Sequence, residues 1–283
     1  MTCAFYLVGC LPVKTLVMIL SGVCGAVLIA ALFYFGVRNA QAADAPQVGT
    51  PAPGKQIPQT LSLEKTVRQQ LDYLLFLPKD YSATADKKWP VIMFLHGLGE
   101  RGNSMADIDR VKVHGPAMLV DKDPDFKFIV VSPQCHGDSW WAWDVDLLNS
   151  LLDQVLKDVK NADPDRVYLT GLSMGGFASF AWSIRNPERF AAVAPICGGG
   201  NWLSGLALDG AKAEKLRSLP FWIFHGESDS AVPVEYSRAM ERGLKALGVQ
   251  EVKLTTYPGV DHNSWTQTYD NPELYEWFLK HHR

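Results

Sequence analysis

The sequence predicts an α/β fold in which a mostly parallel, twisted sheet carries helices on both faces. Seven short apolar runs alternate along the chain with segments of helical periodicity. A succession of strand, helix and strand implies right-handed crossovers between parallel strands. Several of the runs are almost continuous Val, Ile, Leu and Phe, which is typical of parallel strands that are buried on both faces.

The predicted strands and helices begin at residue 72. The strands are predicted at Asp72–Leu77, Val91–Leu95, Phe128–Ser132, Val167–Thr170, Ala191–Ile196, Phe221–Phe224 and Val252–Tyr257. The helices are predicted at Val145–Lys160, Gly175–Asn186, Pro233–Leu247 and Pro272–His281, with Gly or Asn-Pro at several of their boundaries. Functional side chains of such sheets lie at the carboxyl ends of the strands, so the loops that follow the strands are the place to search for a site.

The composition excludes several classes of protein. The 283 residues include 30 Asp and Glu against 27 Lys and Arg, a formal net charge of −3. This charge argues against a dedicated nucleic-acid-binding protein, which needs a basic surface to replace phosphate counterions. A charged fraction of 20% with 47% hydrophobic residues argues against a disordered polyelectrolyte. Because the chain has a single long apolar run, it is not predicted to span a membrane several times.

The amino-terminal part of the chain predicts export. The run Leu16–Val37 contains no charged residue and is long enough to cross a hydrocarbon core of ~30 Å as a helix. It is followed by Ala40-Gln41-Ala42, which has the small-x-small form that signal peptidase cleaves. Residues 1–42 are therefore predicted to be a cleaved signal peptide or an uncleaved membrane anchor. The remainder is then secreted or periplasmic, or anchored with its catalytic domain outside the cytoplasm.

Residues 43–60 are predicted to be a Pro-rich tether, because they hold four prolines and two glycines and no core of their own. No internal repeat and no second linker follow, so residues 61–283 are predicted to form one catalytic domain. Two cysteines lie in it, Cys135 and Cys197. They either pair in an oxidising compartment or are two small buried residues.

The strongest motif is Gly171-Leu172-Ser173-Met174-Gly175-Gly176, which follows the strand Val167–Thr170 and opens a helix. A serine at the tip of a strand-to-helix turn takes a strained backbone conformation, and glycines on both sides keep neighbouring side chains away from it. Its hydroxyl then projects from the sheet into space that the next amide and the helix amino end also face. We predict that Ser173 is a nucleophile rather than a capping serine.

A serine hydroxyl needs a base to become a nucleophile at neutral pH. His262 lies just past the last predicted strand and before the last predicted helix, a location that brings it over the sheet towards Ser173. The other histidines are terminal, lie in other loops or end a strand. His96 and His225 each end a strand directly before a glycine, so packing or loop-shaping roles suit them better. His262 is the predicted base.

The base needs a carboxylate to fix its tautomer and stabilise the imidazolium. Asp229 lies on the loop after the strand Phe221–Phe224 and is the predicted acid. Glu227 is the nearest competitor, for which a cap or an ion pair is the better role. Asp261 is adjacent to His262 in the sequence, which usually points its side chain elsewhere. The resulting order of serine, acid and histidine is that of the α/β-hydrolase fold.

The same chemistry needs amide donors where negative charge develops on the substrate. Met174 supplies one, as the residue after the nucleophile, and a second comes from a loop after an early central strand. The segment His96–Gly102 occupies that place, and the N–H of Leu98 is our candidate there. A phosphate-binding loop is a poor alternative, because no Gly-Lys-Ser/Thr follows these glycines.

Four segments together resemble the phospholipase/carboxylesterase family of α/β-hydrolases. They are His96-Gly97-Leu98-Gly99-Glu100-Arg101-Gly102, Ser132-Pro133-Gln134-Cys135, the Ser173 motif and His225-Gly226-Glu227-Ser228-Asp229. The family is similar to acyl-protein thioesterases and, more distantly, to feruloyl esterases and polyhydroxyalkanoate depolymerases. The resemblance covers about residues 60–283 and implies a serine esterase. The chain differs from dienelactone hydrolases, which carry a cysteine where Ser173 stands, and from cytosolic thioesterases, which have no export leader.

The predicted site is an open cleft. Only about two dozen residues separate Cys197 from Phe221, too few for the cap domain that many hydrolases insert there, so no cap domain is predicted. Trp140 and Trp141 follow a strand at the catalytic edge. They either line a pocket for the acyl or aryl group of a substrate or pack against the helix that follows.

These residues predict an exported serine carboxylesterase that acts through an acyl-enzyme intermediate on a small-molecule or oligomeric ester. Water completes the cycle, so no metal and no organic cofactor is predicted, and neither is a nucleic-acid partner. Two alternatives stay open: a serine peptidase of the prolyl-oligopeptidase type, and a catalytically silent binding protein on a hydrolase scaffold. The sequence also leaves open the natural ester and the oligomeric state.

Overall fold

A computed structural model describes residues 69–84 and 86–283. The signal or anchor predicted at residues 1–42 and the tether predicted at residues 43–60 lie outside the described residues. Within the described part, seven strands form a single sheet with the order β1-β3-β2-β4-β5-β6-β7. The strands are β1 Tyr73–Phe76, β2 Trp89–Leu95, β3 Ile129–Pro133, β4 Ala162–Leu172, β5 Ala192–Ile196, β6 Phe221–Gly226 and β7 Val252–Tyr257.

The structure confirms the predicted sheet, both in its seven strands and in their mostly parallel directions. Strand β1 runs antiparallel to β3 at one edge, and every other neighbouring pair is parallel. Strand β4 lies at the centre of the sheet and is longer than predicted. Its first residues extend to a pairing of Trp89 with Ala162, in a segment whose polar residues hide the strand from a search for apolar runs.

Seven α-helices connect or follow the strands in the described residues. They are α1 Gly115–Val120, α2 Val145–Asp158, α3 Met174–Arg185, α4 Gly210–Ser218, α5 Glu235–Ala246, α6 Trp265–Tyr269 and α7 Pro272–Leu279. The four predicted helices correspond to α2, α3, α5 and α7. Helices α1, α4 and α6, with six, nine and five residues, were not predicted.

The helices cover both faces of the sheet, as predicted. All seven residues of β2 are buried, and their side chains alternate between two hydrophobic clusters. Val91, Met93 and Leu95 pack in the cluster that includes residues of α2, α3 and α5. Ile92 and Phe94 pack in the cluster that includes residues of α1, α6 and α7. This two-sided burial explains why the central strands read as continuous apolar runs.

The connection between β5 and β6 is short, as the sequence predicts. It consists of the 3₁₀ segment Trp202–Ala207 and helix α4, and none of its described residues lines the cleft at Ser173. The carboxyl ends of β4, β5 and β6 are therefore left without a cap domain. As a separate observation, no helix within residues 69–84 and 86–283 is long and apolar enough to cross a membrane.

Candidate active site

Ser173 occupies a strained turn between the central strand and helix α3. Its φ of 53° and ψ of −115° lie in a region that non-glycine residues rarely adopt. Two hydrogen bonds fix the turn: the N–H of Ser173 donates to the carbonyl of Ile196 at 3.0 Å, and its carbonyl accepts from the N–H of Phe177 at 3.0 Å. The strand-to-helix turn predicted from the sequence is confirmed, and its backbone is held by both β5 and α3.

The glycines around Ser173 are required by close packing of the backbone. A Cβ at Gly175 would lie 1.9 Å from the carbonyl oxygen of Leu95, and one at Gly176 would lie 2.4 Å from that of Ile196. Both distances are far inside van der Waals contact. The turn is thus wedged between the ends of β2 and β5, and this wedge holds the Ser173 hydroxyl at the edge of the sheet.

A hydrogen-bonded chain of three side chains begins at this hydroxyl. The Oγ of Ser173 lies 2.9 Å from Nε2 of His262, and Nδ1 of His262 lies 2.7 Å from Oδ2 of Asp229. Because a carboxylate only accepts hydrogen bonds, Nδ1 carries the proton and Nε2 is free to accept one from Ser173. The structure brings together the three residues named from the sequence, whereas the catalytic roles assigned to them stay a prediction.

The carboxylate of Asp229 is held from both sides. Its side chain is completely buried, and Oδ1 accepts hydrogen bonds from the backbone N–H groups of Ala231 at 2.9 Å and Val232 at 2.7 Å. Its other oxygen, Oδ2, faces His262. Backbone donors of this kind stabilise the charged form of a buried carboxylate, so the geometry suits an anion that orients an imidazole.

The two competing acids have other partners. Glu227 accepts a hydrogen bond from the hydroxyl of Thr256 at 2.7 Å, a contact that differs from the cap or ion pair expected for it. Asp261 accepts from the N–H groups of Ser230 and His262, each at 2.7 Å. These bonds, the one from Ser230 first, lower the pKa of the Asp261 carboxyl. Asp261 thus joins the loop after β6 to the loop that carries His262, rather than contacting the imidazole ring.

Ser173 and His262 open onto a cleft of about 400 Å³. The lining includes both residues expected to donate amides, Leu98 and Met174, and also Trp140. Met174 is the first residue of α3, where backbone N–H groups have no partner within the helix. Leu98 begins a short 3₁₀ turn after β2. Both residues therefore line the same cleft as Ser173, and their role as amide donors stays a prediction.

Trp141 does not line the cleft, contrary to one of the two expectations for it. Its side chain is completely buried, its Nε1–H donates to the carbonyl of His96 at 3.1 Å, and its ring lies 5.0 Å from the His96 ring. Trp140 directly precedes the 3₁₀ turn Trp141–Trp143, and its side chain points in a different direction from that of Trp141. Trp140 consequently reaches the cleft while Trp141 packs in the core, the alternative that the sequence left open.

Several cleft residues escaped the sequence analysis, among them Phe177, Val232 and Trp265. Phe177 lies four residues after Ser173, on the same face of the helix that follows it. The ring of Trp265 meets the ring of His262 edge to face at 5.3 Å. Proximity in sequence to Ser173, Asp229 and His262 is a signal that could have identified all three.

Both cysteines of the described part are buried and free, so the second of the two expectations for them is confirmed. The thiol of Cys197 lies behind the hydrogen-bonded chain, where it, Asp229 and His262 present ligand atoms within 4.8 Å of one another. Burial raises the pKa of the Cys197 thiol to about 12, and metals bind the thiolate. The other two groups are already hydrogen-bonded to each other, so this donor set suits proton transfer better than a metal ion.

Comparison with known proteins supports a hydrolase. Residues 140–273 match the dienelactone hydrolase family. The uncharacterized peptidase YuxL of Bacillus subtilis is 30% identical over 146 residues, 42% of this chain and 22% of that protein. Acyl-protein thioesterase 1 of Emericella nidulans is 28% identical over 130 residues, 42% of this chain and 49% of that protein. The chain thus spans less than half the length of either relative.

A solved structure is similar over a larger part of the chain. The crystal structure of a thermostable esterase has 33% sequence identity and a TM-score of 0.60, and the match covers 75% of this chain and 60% of that one. The resemblance to acyl-protein thioesterases expected from the motifs is confirmed by these comparisons, as is the fold. The chain therefore has the α/β-hydrolase fold, and its residues 140–273 are similar to the dienelactone hydrolase family.

Proposed function

We propose that the protein is a serine carboxylesterase with Ser173 as nucleophile, His262 as general base and acid, and Asp229 as the orienting carboxylate. The observation that carries the proposal is the chain of hydrogen bonds from Ser173 through His262 to Asp229, with lengths of 2.9 and 2.7 Å. Such a chain, ending in a strained turn on an open cleft, has the geometry of nucleophilic acyl transfer.

The reaction proceeds in two halves. In the first, Oγ of Ser173 attacks the ester carbonyl carbon as its proton passes to Nε2 of His262. The tetrahedral intermediate then collapses, the alcohol leaves with that proton, and an acyl group stays on Ser173. In the second half, His262 takes a proton from water, which attacks the acyl carbon. The carboxylic acid is released and the serine hydroxyl is restored.

The developing oxyanion is held by backbone amides in this proposal. The N–H of Met174 at the start of α3 and the N–H of Leu98 in the loop after β2 are the donors. Each such donor contributes on the order of 3 kcal/mol to the stability of the transition state. Negative charge at the amino end of α3 is also favoured by the helix dipole. No step of this mechanism uses a metal or an organic cofactor.

The cleft suits an ester with an apolar acyl or aryl group. Leu98, Phe177, Val232 and Trp265 supply apolar surface around the nucleophile, and the lack of a cap over the described sheet leaves the cleft open to the ends of larger molecules. The preferred substrates are therefore small-molecule or oligomeric esters rather than lipids that need a deep, closed tunnel.

Replacing the nucleophile tests the proposal. We expect Ser173→Ala to lower kcat/KM for short p-nitrophenyl esters by on the order of 10⁴-fold or more, because the remaining residues cannot form an acyl-enzyme. The matched control is Ser204→Ala, which changes a serine on the connection before α4 and should leave the rate unchanged. Wild-type rates in Ser173→Ala would overturn the assignment.

Peptidase activity is a second candidate, since one relative carries the name of a peptidase. The same residues would attack an amide, so a panel of aminoacyl and peptidyl p-nitroanilides measured beside the esters separates the two. A higher kcat/KM on the anilides favours the peptidase. A folded protein that a fluorophosphonate probe does not label at Ser173 favours a silent binding protein instead.

Export is the remaining part of the proposal and rests on the sequence of residues 1–42. The protein is then secreted or periplasmic, or it stays tethered to a membrane through that segment. Sequencing the amino end of the mature protein separates the outcomes: a first residue at position 43 indicates cleavage, and an intact Met1 with membrane association indicates an anchor.

A further inference from the structure

His225 is a buried histidine that contacts the proposed catalytic acid. It lies in β6 directly before Gly226 and its side chain is completely buried. Its Nδ1 lies 2.7 Å from the hydroxyl of Ser237 on α5. Its Nε2 lies 2.8 Å from the carbonyl oxygen of Val232 and 3.2 Å from Oδ2 of Asp229. The ring thus reaches from α5 to the carboxylate that holds His262.

The partners of the ring determine where its proton lies. Nε2 faces two groups that only accept hydrogen bonds, so Nε2 must carry a proton. Nδ1 lies 2.7 Å from the hydroxyl of Ser237, and that hydroxyl donates to the carbonyl of Gly198 at 3.1 Å. Burial lowers the pKa of His225. The Nε2–H donates to the carbonyl of Val232 at 2.8 Å and lies beside Oδ2 of Asp229, which is 3.2 Å from Nε2.

Two imidazoles therefore meet at one oxygen. Oδ2 of Asp229 lies 2.7 Å from Nδ1 of His262 and 3.2 Å from Nε2 of His225, while Oδ1 is taken by the two backbone amides described above. Rotation of the carboxylate would break contacts on both oxygens. A donor at Oδ2 also draws charge from the atom that stabilises the imidazolium of His262.

We propose that His225 is a positioning residue for the proposed esterase reaction: its Nε2–H, beside Oδ2, fixes the orientation of Asp229. The inference rests on the proposed function, because it assigns His225 a task only through the triad. It differs from the packing role expected from the sequence in one respect. A packing residue contributes volume, whereas His225 acts through the donor at one ring nitrogen.

Three other charged or titratable side chains lie in the segments next to Asp229 and His225. Cys197 faces the pair from the end of β5, and its buried thiol has a pKa of about 12, so it is neutral at ordinary pH. Asp261 lies in the loop after β7, and its hydrogen bonds lower the pKa of its carboxyl, so it stays charged. Glu227 is turned towards Thr256.

Two substitutions of His225 test the roles of its two ring nitrogens separately. The side-chain amide of His225→Gln extends about as far as Nε2 and presents an N–H to Asp229. The amide of His225→Asn extends about as far as Nδ1 and presents its N–H to Ser237 instead. The two variants differ by one methylene, so a role in packing alone predicts similar kinetics for both. Ser237→Ala is the control that removes the contact on the α5 side without touching Asp229.

The experiment measures kcat and KM for a short p-nitrophenyl ester across pH in the full chain, together with thermal melting of each variant. We expect His225→Asn to lose about tenfold or more in kcat, the rate equivalent of one hydrogen bond to a charged group, with little change in KM.

His225→Gln should keep most of the rate and an unchanged KM, and Ser237→Ala should keep both. Equal kinetics in the Asn and Gln variants, or a loss in Ser237→Ala as large as in His225→Asn, overturns the inference. If His225→Asn does not fold, His225→Ser takes its place with the same expectations. A wild type without Ser173-dependent hydrolysis overturns the proposed function and this inference together, whereas an active wild type with unchanged His225 variants overturns this inference alone.

Discussion

The two sides of the candidate active site are held in place by different kinds of interaction. On the nucleophile side, the turn Gly171–Gly176 is fixed by backbone packing, since a Cβ at Gly175 would lie 1.9 Å from the carbonyl oxygen of Leu95. On the acid side, Asp229 and His262 lie on two separate loops that are joined by hydrogen bonds between side chains and backbone. The nucleophile side requires glycines, which have no side chain, and the acid side requires polar side chains and backbone N–H groups.

Because the two sides are held differently, substitutions on each side should be detected by different measurements. Where backbone packs against backbone, an added methyl group has nowhere to go, so substitution should appear first in the free energy of unfolding. Where side-chain hydrogen bonds do the positioning, a substitution of the same shape leaves the fold intact, so it should appear in the rate and in its pH dependence.

On the acid side, the largest effect is expected from Asp229→Asn. The amide keeps the shape of the side chain but favours the wrong tautomer of His262 and leaves its imidazolium without a counter-charge. We expect kcat to fall on the order of 10³–10⁴-fold, or about 4–5 kcal/mol of transition-state stabilisation. Ester hydrolysis rates and a melting curve for each variant provide the measurement.

Asp261→Asn is the matched control for that prediction. Asp261 is an exposed carboxylate beside His262 in the sequence, and it contacts backbone N–H groups rather than the ring. Its loss should lower kcat less than tenfold, about the effect of one exposed hydrogen bond. A loss in Asp261→Asn as large as in Asp229→Asn would reassign the orienting acid.

The next effect is expected on the nucleophile side, from Gly175→Ala. Its Cβ would overlap the carbonyl of Leu95 at 1.9 Å, and the central strands cannot move apart without breaking their ladder. We expect the free energy of unfolding to fall by at least about 3 kcal/mol, measured by denaturant unfolding.

The control is Gly210→Ala at the first residue of α4, where an added Cβ meets nothing within 4 Å. That change should leave stability unchanged or slightly higher, because alanine favours the helix. If the two glycine variants were equally stable, the nucleophile turn would not depend on backbone packing, and the contrast between the two sides would be lost.

Much of this arrangement could be predicted from sequence because it is local. The Ser173 motif contains its own strand end, turn and helix start, and the buried strands carry their apolar residues in continuous runs. The loops of Asp229 and His262 follow from the order of the strands. Strand β4 was predicted too short because its early residues pair with β2 although they are polar, so only the tertiary contact defines them.

The sequence did not reveal in which direction certain side chains point, because those directions are set by packing. Trp140 and Trp141 are adjacent and chemically identical, yet one lines the cleft and the other is buried under His96. His96 and His225 both precede a glycine at a strand end, and of the two it is His225 that contacts the proposed catalytic acid, Asp229. Nothing in a local pattern distinguishes the members of either pair, because the distinction arises from elements far away in the chain.

The smallest effect is expected at His96, the buried histidine on the nucleophile side. Its Nδ1 donates to the carbonyl of Gly97 at 2.6 Å, and its Nε2 accepts from the N–H of Cys135 at 3.0 Å. Burial lowers the pKa of His96 to about 4, from about 6.5 in an unfolded chain. Between these values the unfolded state binds more protons than the folded state, so stability rises with pH through this window and is lost as pH falls through it.

One such histidine accounts for about 2 kcal/mol of stability lost between about pH 7 and pH 5. His96→Gln places a carbonyl oxygen near the position of Nε2, where it accepts from Cys135, and it cannot take up a proton. We therefore expect the variant to be less stable at neutral pH but to lose about 2 kcal/mol less than wild type on acidification, measured by denaturant unfolding at both pH values. His282→Gln at the exposed carboxyl end should keep the wild-type loss. If wild type and His96→Gln lost equal stability, protonation of His96 would not oppose folding, and its role on the nucleophile side would reduce to shape.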